Sequence, residues 1–175
     1  MREVVCSTGR LDLVVPMVED CRALAAMWGD PETMRHIGDG ARWSRGKVEE
    51  RIERAMGMQR DRGMTFWTVI ERQSGEVIGQ GGLVPIAFNG DEIELGYRLG
   101  RAHWGKGYAS EIARASAAHG FGELGLIDLV AVCNRENLAS RRVLIKTGFV
   151  EVGESEVYYG VPTVVHRMGR NDCVG

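Results

Sequence analysis

The stretch ELGYRLGRAHWGKGYASEIARASAAHGF, Glu94 to Phe121, constrains this chain most, because an alternating pattern gives way to a helical one across a few residues rich in glycine. In the first part Ile93, Leu95, Tyr97 and Leu99 share one strand face, while Glu92, Glu94 and Arg98 share the other. From about Tyr108 to His119 or just beyond, the spacing predicts a helix. The first four N–H groups of a helix have no internal partner, and the dipole leaves about half a positive charge there. Gly105 and Gly107 remove side chains that would hold an anion away and let successive N–H groups converge; Lys106 adds charge at the rim. Taken alone, the loop is open to two readings: an anion cradle, or a turn that serves only close packing.

Two familiar phosphate loops do not fit. Gly100 to Gly107, GRAHWGKG, approaches G-x-x-x-x-G-K-[ST], but Gly107 stands where a hydroxyl must hold magnesium. The dinucleotide pattern G-x-G-x-x-G fails at Ser110. A pyrophosphate site without magnesium or nicotinamide is what remains.

Upstream, Leu11 to Val15 reads as a strand stopped by Pro16. An amphipathic helix follows through Cys21, Leu24, Ala25 and Trp28, closed by Gly29 and Pro31. Ser44 can cap a second helix with Val48, Ile52, Ala55 and Met56 on one stripe. TFWTVIE, RQSG and EVIGQGGLVPI read as a hairpin, in which Gly79, Gly81 and Gly82 suggest a bulge or a close backbone approach. Asn89 to Asp91 is a turn that opens the strand EIELGYRL. After the glycine loop and its helix come the strand DLVAV, a helix from about Leu138 to Lys146, GFVEVGE, and a last strand pair around Val157 to Arg167. The order is an antiparallel meander followed by alternating strand and helix, in one domain over residues 1–175.

Composition narrows the function. A net charge of −2 offers no basic field for nucleic acid, which is not expected as a direct partner. Cys6, Cys21, Cys133 and Cys173 are scattered, and the four histidines lack ligand spacing, so reduced thiols and no metal are expected. No apolar run reaches spanning length and no signal peptide is visible, which points to a cytoplasmic protein away from membranes.

The motif W-G-x-G-Y-A, with N-x-x-N-x-x-S and K-x-G-F about thirty residues later, resembles the acetyl-CoA-binding half of the GNAT superfamily of N-acetyltransferases. The segment STGRLDLVVPMVEDCRALAAMWGDPETMRHIG is similar to its RimJ/RimL-like, ribosomal-protein branch, so the resemblance covers nearly the whole chain. It implies an α+β fold with a mixed, mostly antiparallel sheet of about seven strands and about four helices. It also implies acetyl transfer from acetyl-CoA to a primary amine, on a small molecule or a protein N-terminus, by direct attack in a ternary complex.

By the same resemblance, Gly105, Lys106, Gly107, Ala109 and Ser110 hold the pyrophosphate through their backbone. Tyr97 and Leu99 pair with the pantetheine where the family's sheet splays, with the Leu99 amide aimed at the thioester oxygen. Asn137 bonds the pantetheine, and Ser140 contacts or protonates the sulfur; both residues also suit helix capping. Glu94 and Glu92 are the candidate bases, with an ion pair as the alternative for Glu94 and a solvated strand end for Glu92. Arg141 and Arg142 face phosphate or solvent, and Tyr158 and Tyr159 line the acceptor cleft or pack in a strand.

Two positions depart from the family. Trp104 stands where Q or R begins the loop, and does not supply that residue's polar contacts. Leu144 stands where a Tyr is proposed as the acid, which motivates a non-catalytic acyl-CoA-sensing module as the alternative. No cysteine has a nucleophile's setting, so a covalent acetyl-enzyme is not expected. An exposed sheet edge is compatible with a homodimer.

Overall fold

The computed structural model describes residues 2–88 and 90–173. Eight strands form one sheet: β1 (Val4–Ser7), β2 (Leu11–Val14), β3 (Phe66–Glu71), β4 (Val77–Pro85), β5 (Ile93–Leu99), β6 (Asp128–Asn134), β7 (Val150–Ser155) and β8 (Thr163–Gly169). Their order is β1, β2, β3, β4, β5, β6, β8, β7. Five α-helices accompany them: α1 (Cys21–Trp28), α2 (Pro31–Met34), α3 (Arg45–Arg62), α4 (Tyr108–Gly122) and α5 (Leu138–Lys146). The extra strand and helix relative to expectation are β1 and α2. β1 is too short for its alternation to stand out. α2 starts where the first helix was expected only to end, because Asp30 accepts from the Glu32 and Thr33 amides and Pro31 suits a first turn.

Two apolar clusters lie on opposite faces of the sheet. Leu95 and Leu99 of β5 meet Ile112, Ala113 and Ala117 of α4 on one face. Leu24 and Trp28 of α1 meet Val48 and Ile52 of α3 on the other. The Ser44 hydroxyl accepts from the Lys47 amide 3.3 Å away and starts α3, as its sequence predicts. Both expectations for the β4 glycines hold. The register with β3 slips beside Gly79, and a Cβ on Gly81 would lie 2.4 Å from the Ile112 side chain, so glycine is what lets α4 seat here.

Asn89 lies outside the described residues, so the expected Asn89–Asp91 turn is described only at Gly90 and Asp91, both bends. The last strand pair differs from expectation: β7 ends at Ser155, and residues 156–162 form the connection to β8. Tyr158 and Tyr159 therefore ride a loop.

One join in the sheet positions the site. β5 runs parallel to β6, yet the two share a single register pair, Glu94 with Val130. Beyond it the strands part, and a cavity is lined by Leu95–Arg98 from one side and Ala131–Asn134 from the other. Ile86 donates to the Glu92 carbonyl and Gly100 donates to Ile78. Even-numbered β5 residues thus turn their peptide groups to β4, and the alternation of an antiparallel ladder turns those of Tyr97 and Leu99 to the gap.

Candidate active site

The glycine loop takes the shape an anion cradle needs. Gly105 and Gly107 have φ of +73° and +83°, left-handed values that side chains resist. Gly107 is the N-cap of α4 and provides no side-chain cap, so the first-turn amides, including those of Ala109 and Ser110, point outward without intrahelical partners. Arg10, from the β1–β2 turn, braces the loop. It donates to the Lys106 carbonyl at 3.0 Å, pairs with Glu111 and lies 4.5 Å from the Tyr108 ring centre.

The loop opens onto a cavity of about 570 Å³ that also touches Tyr97, Leu99, Asn137, Ser140 and Arg142. Trp104, expected not to supply the polar contacts of the Q or R it replaces, donates its indole N–H to the Leu99 carbonyl at 2.8 Å and leaves that residue's amide facing the gap. Across the gap the Tyr97 hydroxyl lies 3.0 Å from the Ser140 Oγ. Burial pushes the Tyr97 phenol up.

On the other side of β5, a cavity of about 250 Å³ is lined by Glu94, Arg98, Trp43, Phe88 and Tyr159. Tyr97, Arg98 and Ser140 border both cavities, so the two meet at the splay. Glu94 is 5% exposed and accepts a hydrogen bond from the Tyr159 hydroxyl. Burial pushes its carboxyl up to about 7, against the opposing pull of Tyr159 and Arg98. Tyr159 and Ala87 hold positive φ without being glycine, and the Ala87 amide donates to the Tyr159 hydroxyl at 3.1 Å. Two left-handed loop residues are thus joined beside one carboxylate, where such backbone tends to collect.

Residues 10–150 match the family described as "Acetyltransferase (GNAT) domain". The chain belongs to the GNAT acetyltransferase family. It is 32% identical to the uncharacterized N-acetyltransferase YoaA of Bacillus subtilis, over 88% of this chain and 87% of that one. An acetyltransferase of the GNAT family from Bacillus anthracis superposes with a TM-score of 0.81 at 22% identity, covering 98% of this chain and 99% of that one. RimL, a ribosomal α-N-protein acetyltransferase solved in complex with coenzyme A, gives 0.78 at 17% identity, covering 95% and 98%. The protein is an acetyl-CoA-dependent N-acetyltransferase with the α+β fold of that family.

This GNAT chain has the features its co-substrate requires. Uncapped amides and left-handed glycines suit a pyrophosphate, and strand edges with unpaired peptide groups suit an extended amide-bearing arm. Of the residues expected from the sequence to contact acetyl-CoA, Tyr97, Leu99, Gly105, Gly107, Ala109, Ser110, Asn137 and Ser140 all border the larger cavity. Lys106 is exposed at its rim. Asn137 takes the capping part: its Oδ1 accepts from the Ser140 amide at 3.1 Å, starting α5.

Glu92 pairs with Arg167, 2.5 Å away, and accepts from Tyr158. Arg141 is held by Glu151 at 2.9 Å, whereas Arg142 borders the larger cavity. Leu144 is buried. Sequence reasoning overlooked Arg10, the Trp104 indole as a donor, the Tyr97 hydroxyl and Arg98 with its two tryptophans. The sign available for Arg98 was its place on the polar strand face with Glu94. Among the described residues no helix is long and apolar enough to cross a membrane, and no cluster of metal-ligating side chains occurs.

Proposed function

We propose that the enzyme, as one domain over residues 1–175, acetylates a primary amine by direct attack in a ternary complex, with Glu94 as general base. The observation that carries this reading is the buried Glu94 carboxyl, hydrogen-bonded by Tyr159 and pushed up to about 7, in the smaller cavity on the strand whose Tyr97 and Arg98 border both cavities. A base with that value is half ionised at neutral pH and can still accept a proton from an ammonium through water. Gly105, Lys106, Gly107, Ala109 and Ser110 hold the pyrophosphate. The peptide groups of Tyr97 and Leu99 align the pantetheine, and the Leu99 amide faces the charge that develops on the acyl oxygen.

As the C–N bond forms and the C–S bond breaks, Glu94 takes a proton from the amine nitrogen and later yields it to water, while Ser140, backed by the Tyr97 hydroxyl, donates one to the departing sulfur and regains one from water. The hydroxyl pair stands in for the acid that Leu144 does not provide. The fold likeness to RimL supports a place near the RimJ/RimL-like branch, while the small size of the acceptor cavity favours a small amine or the very end of a peptide.

The test is acetyl-CoA-dependent thiol release against short peptides, polyamines, aminoglycosides and amino acids, for wild type and Glu94→Gln. One acceptor class turned over by wild type, with a loss of at least a hundredfold in the variant, supports the assignment. Equal rates in both proteins remove Glu94 from the chemistry.

A further inference from the structure

Arg98 is left unused by acetyl transfer, although it borders both cavities. It shares a strand face with Glu94, with Gly96 between them. Its guanidinium carbon lies 4.4 Å from the Trp43 ring centre and 4.9 Å from that of Trp28. The indoles fix the group without satisfying its in-plane N–H donors. Among the described residues Nη1 is closed off from solvent and has no hydrogen-bond partner. A desolvated cationic donor with no acceptor is costly to keep, and an incoming acceptor removes that cost.

The surroundings are electropositive. Lys47 and Arg51 lie 5.0 and 5.2 Å from the same Trp43 ring, and Arg51 and Arg54 lie 5.1 and 4.7 Å from the Phe88 ring. Among the described residues, none of Lys47, Arg51, Arg54 or Arg98 is within ion-pair distance of a carboxylate. Burial, together with the charge of Arg51, holds Arg98 down to about 10. Two acids also line the smaller cavity. Asp39 accepts from the Ala41 amide, and Glu94 accepts from Tyr159. Four strand steps separate the Cα atoms of Glu94 and Arg98 by about 13 Å. Once both side chains lean into the cavity, the space between their ends suits a small molecule with unlike termini.

We propose that the acceptor is a small amine bearing a carboxylate, which the Arg98 fork receives while the amine faces Glu94. This rests on the acetyltransferase reading above. A planar guanidinium matches a carboxylate through two parallel hydrogen bonds, and the neighbouring cations repel polyamines and aminoglycosides. A phosphonate would meet the same donors, so the experiment separates the two.

The assay compares thiol release for matched pairs, amino acids against their amides and against aminoalkylphosphonates, in wild type, Arg98→Met and Arg98→Lys. The expected result is at least a tenfold preference in kcat/KM for the carboxylate over the amide, expressed mainly in KM. That preference is lost in Arg98→Met and partly kept in Arg98→Lys. Calorimetric titration of coenzyme A checks that each variant retains the cofactor site. A second titration, of N-acetylamino acids and their amides into coenzyme A-loaded protein, reads the subsite without turnover.

Weaker binding of the acetylated carboxylate to Arg98→Met, with coenzyme A affinity unchanged, supports the proposal even if no acceptor is turned over. In that case only the catalytic reading falls. Equal handling of carboxylate and amide by wild type, an equal loss on both in Arg98→Met, or a tenfold preference for the phosphonate overturns it.

Discussion

Replacing Glu94 by glutamine is expected to stabilise the protein above neutral pH and at the same time remove its turnover. The carboxyl is nearly sealed from solvent and titrates near 7, against an ordinary 4.5. Below 4.5 it is protonated in both the folded and the unfolded chain and contributes nothing. Between 4.5 and 7 the unfolded chain loses the proton while the folded one keeps it, so stability falls as pH rises. Above 7 the full cost of burying the charge remains, roughly 3 kcal/mol. Tyr159 and Arg98 keep that cost from being larger. Glutamine has no proton to lose and can still accept from the Tyr159 hydroxyl. Urea unfolding at pH 5 and pH 8 should show the variant gaining about 2.5 kcal/mol relative to wild type between those values, because part of the cost is already present at pH 5. Thiol release at pH 8 should fall by 10²–10⁴, the usual contribution of a general base. Identical pH slopes of stability in the two proteins would refute the claim that this carboxyl is buried at the cost of its charge.

Other perturbations have equally definite signs. Tyr159→Phe removes a hydrogen bond that lowers the Glu94 value, so the ascending limb of the pH–rate profile should move above 7, measured as kcat/KM from pH 5.5 to 9. Gly107→Ala forces a side chain into a left-handed conformation at a cost of about 1–2 kcal/mol. Its melting temperature should fall by a few degrees and coenzyme A should bind more weakly by titration, because the α4 amides turn with the backbone. Asn137→Ala loses the α5 cap, worth about 1 kcal/mol by thermal melting, and any additional loss of coenzyme A affinity measures a direct contact.

Much of this architecture was legible because it rests on local rules. Ser44 starts α3, a hydrophobic period marks α4, and the alternation in Ile93–Leu99 separates a core face from the face of Glu94 and Arg98. The glycine loop was legible because an anion and a glycine backbone impose the same requirement on sequence. What stayed hidden depends on distance along the chain. Glu94 is tuned by Tyr159, 65 residues later, on a segment whose alternation mimics a strand but which folds as a connection. Arg98 acquires its character from Trp28 and Trp43, brought to it from α1 and from the residues just before α3. Trp104 read as a lost polar group, because whether an indole N–H is useful depends on a carbonyl lying 2.8 Å away.

The single pairing between β5 and β6 leaves two main-chain edges facing each other inside the molecule. A sheet edge is ordinarily a hazard at the periphery, open to any stray chain, and here it is turned inward. On the pairing proposed above, the co-substrate serves as a removable ninth strand, and the enzyme's cohesion becomes a function of its supply. At a hundred times its dissociation constant a ligand adds about 2.7 kcal/mol to the folded state. The two leaves of the sheet should therefore breathe apart least when acetyl-CoA is plentiful, and hydrogen exchange at the Tyr97 and Leu99 amides would report the metabolic state in which the enzyme finds itself.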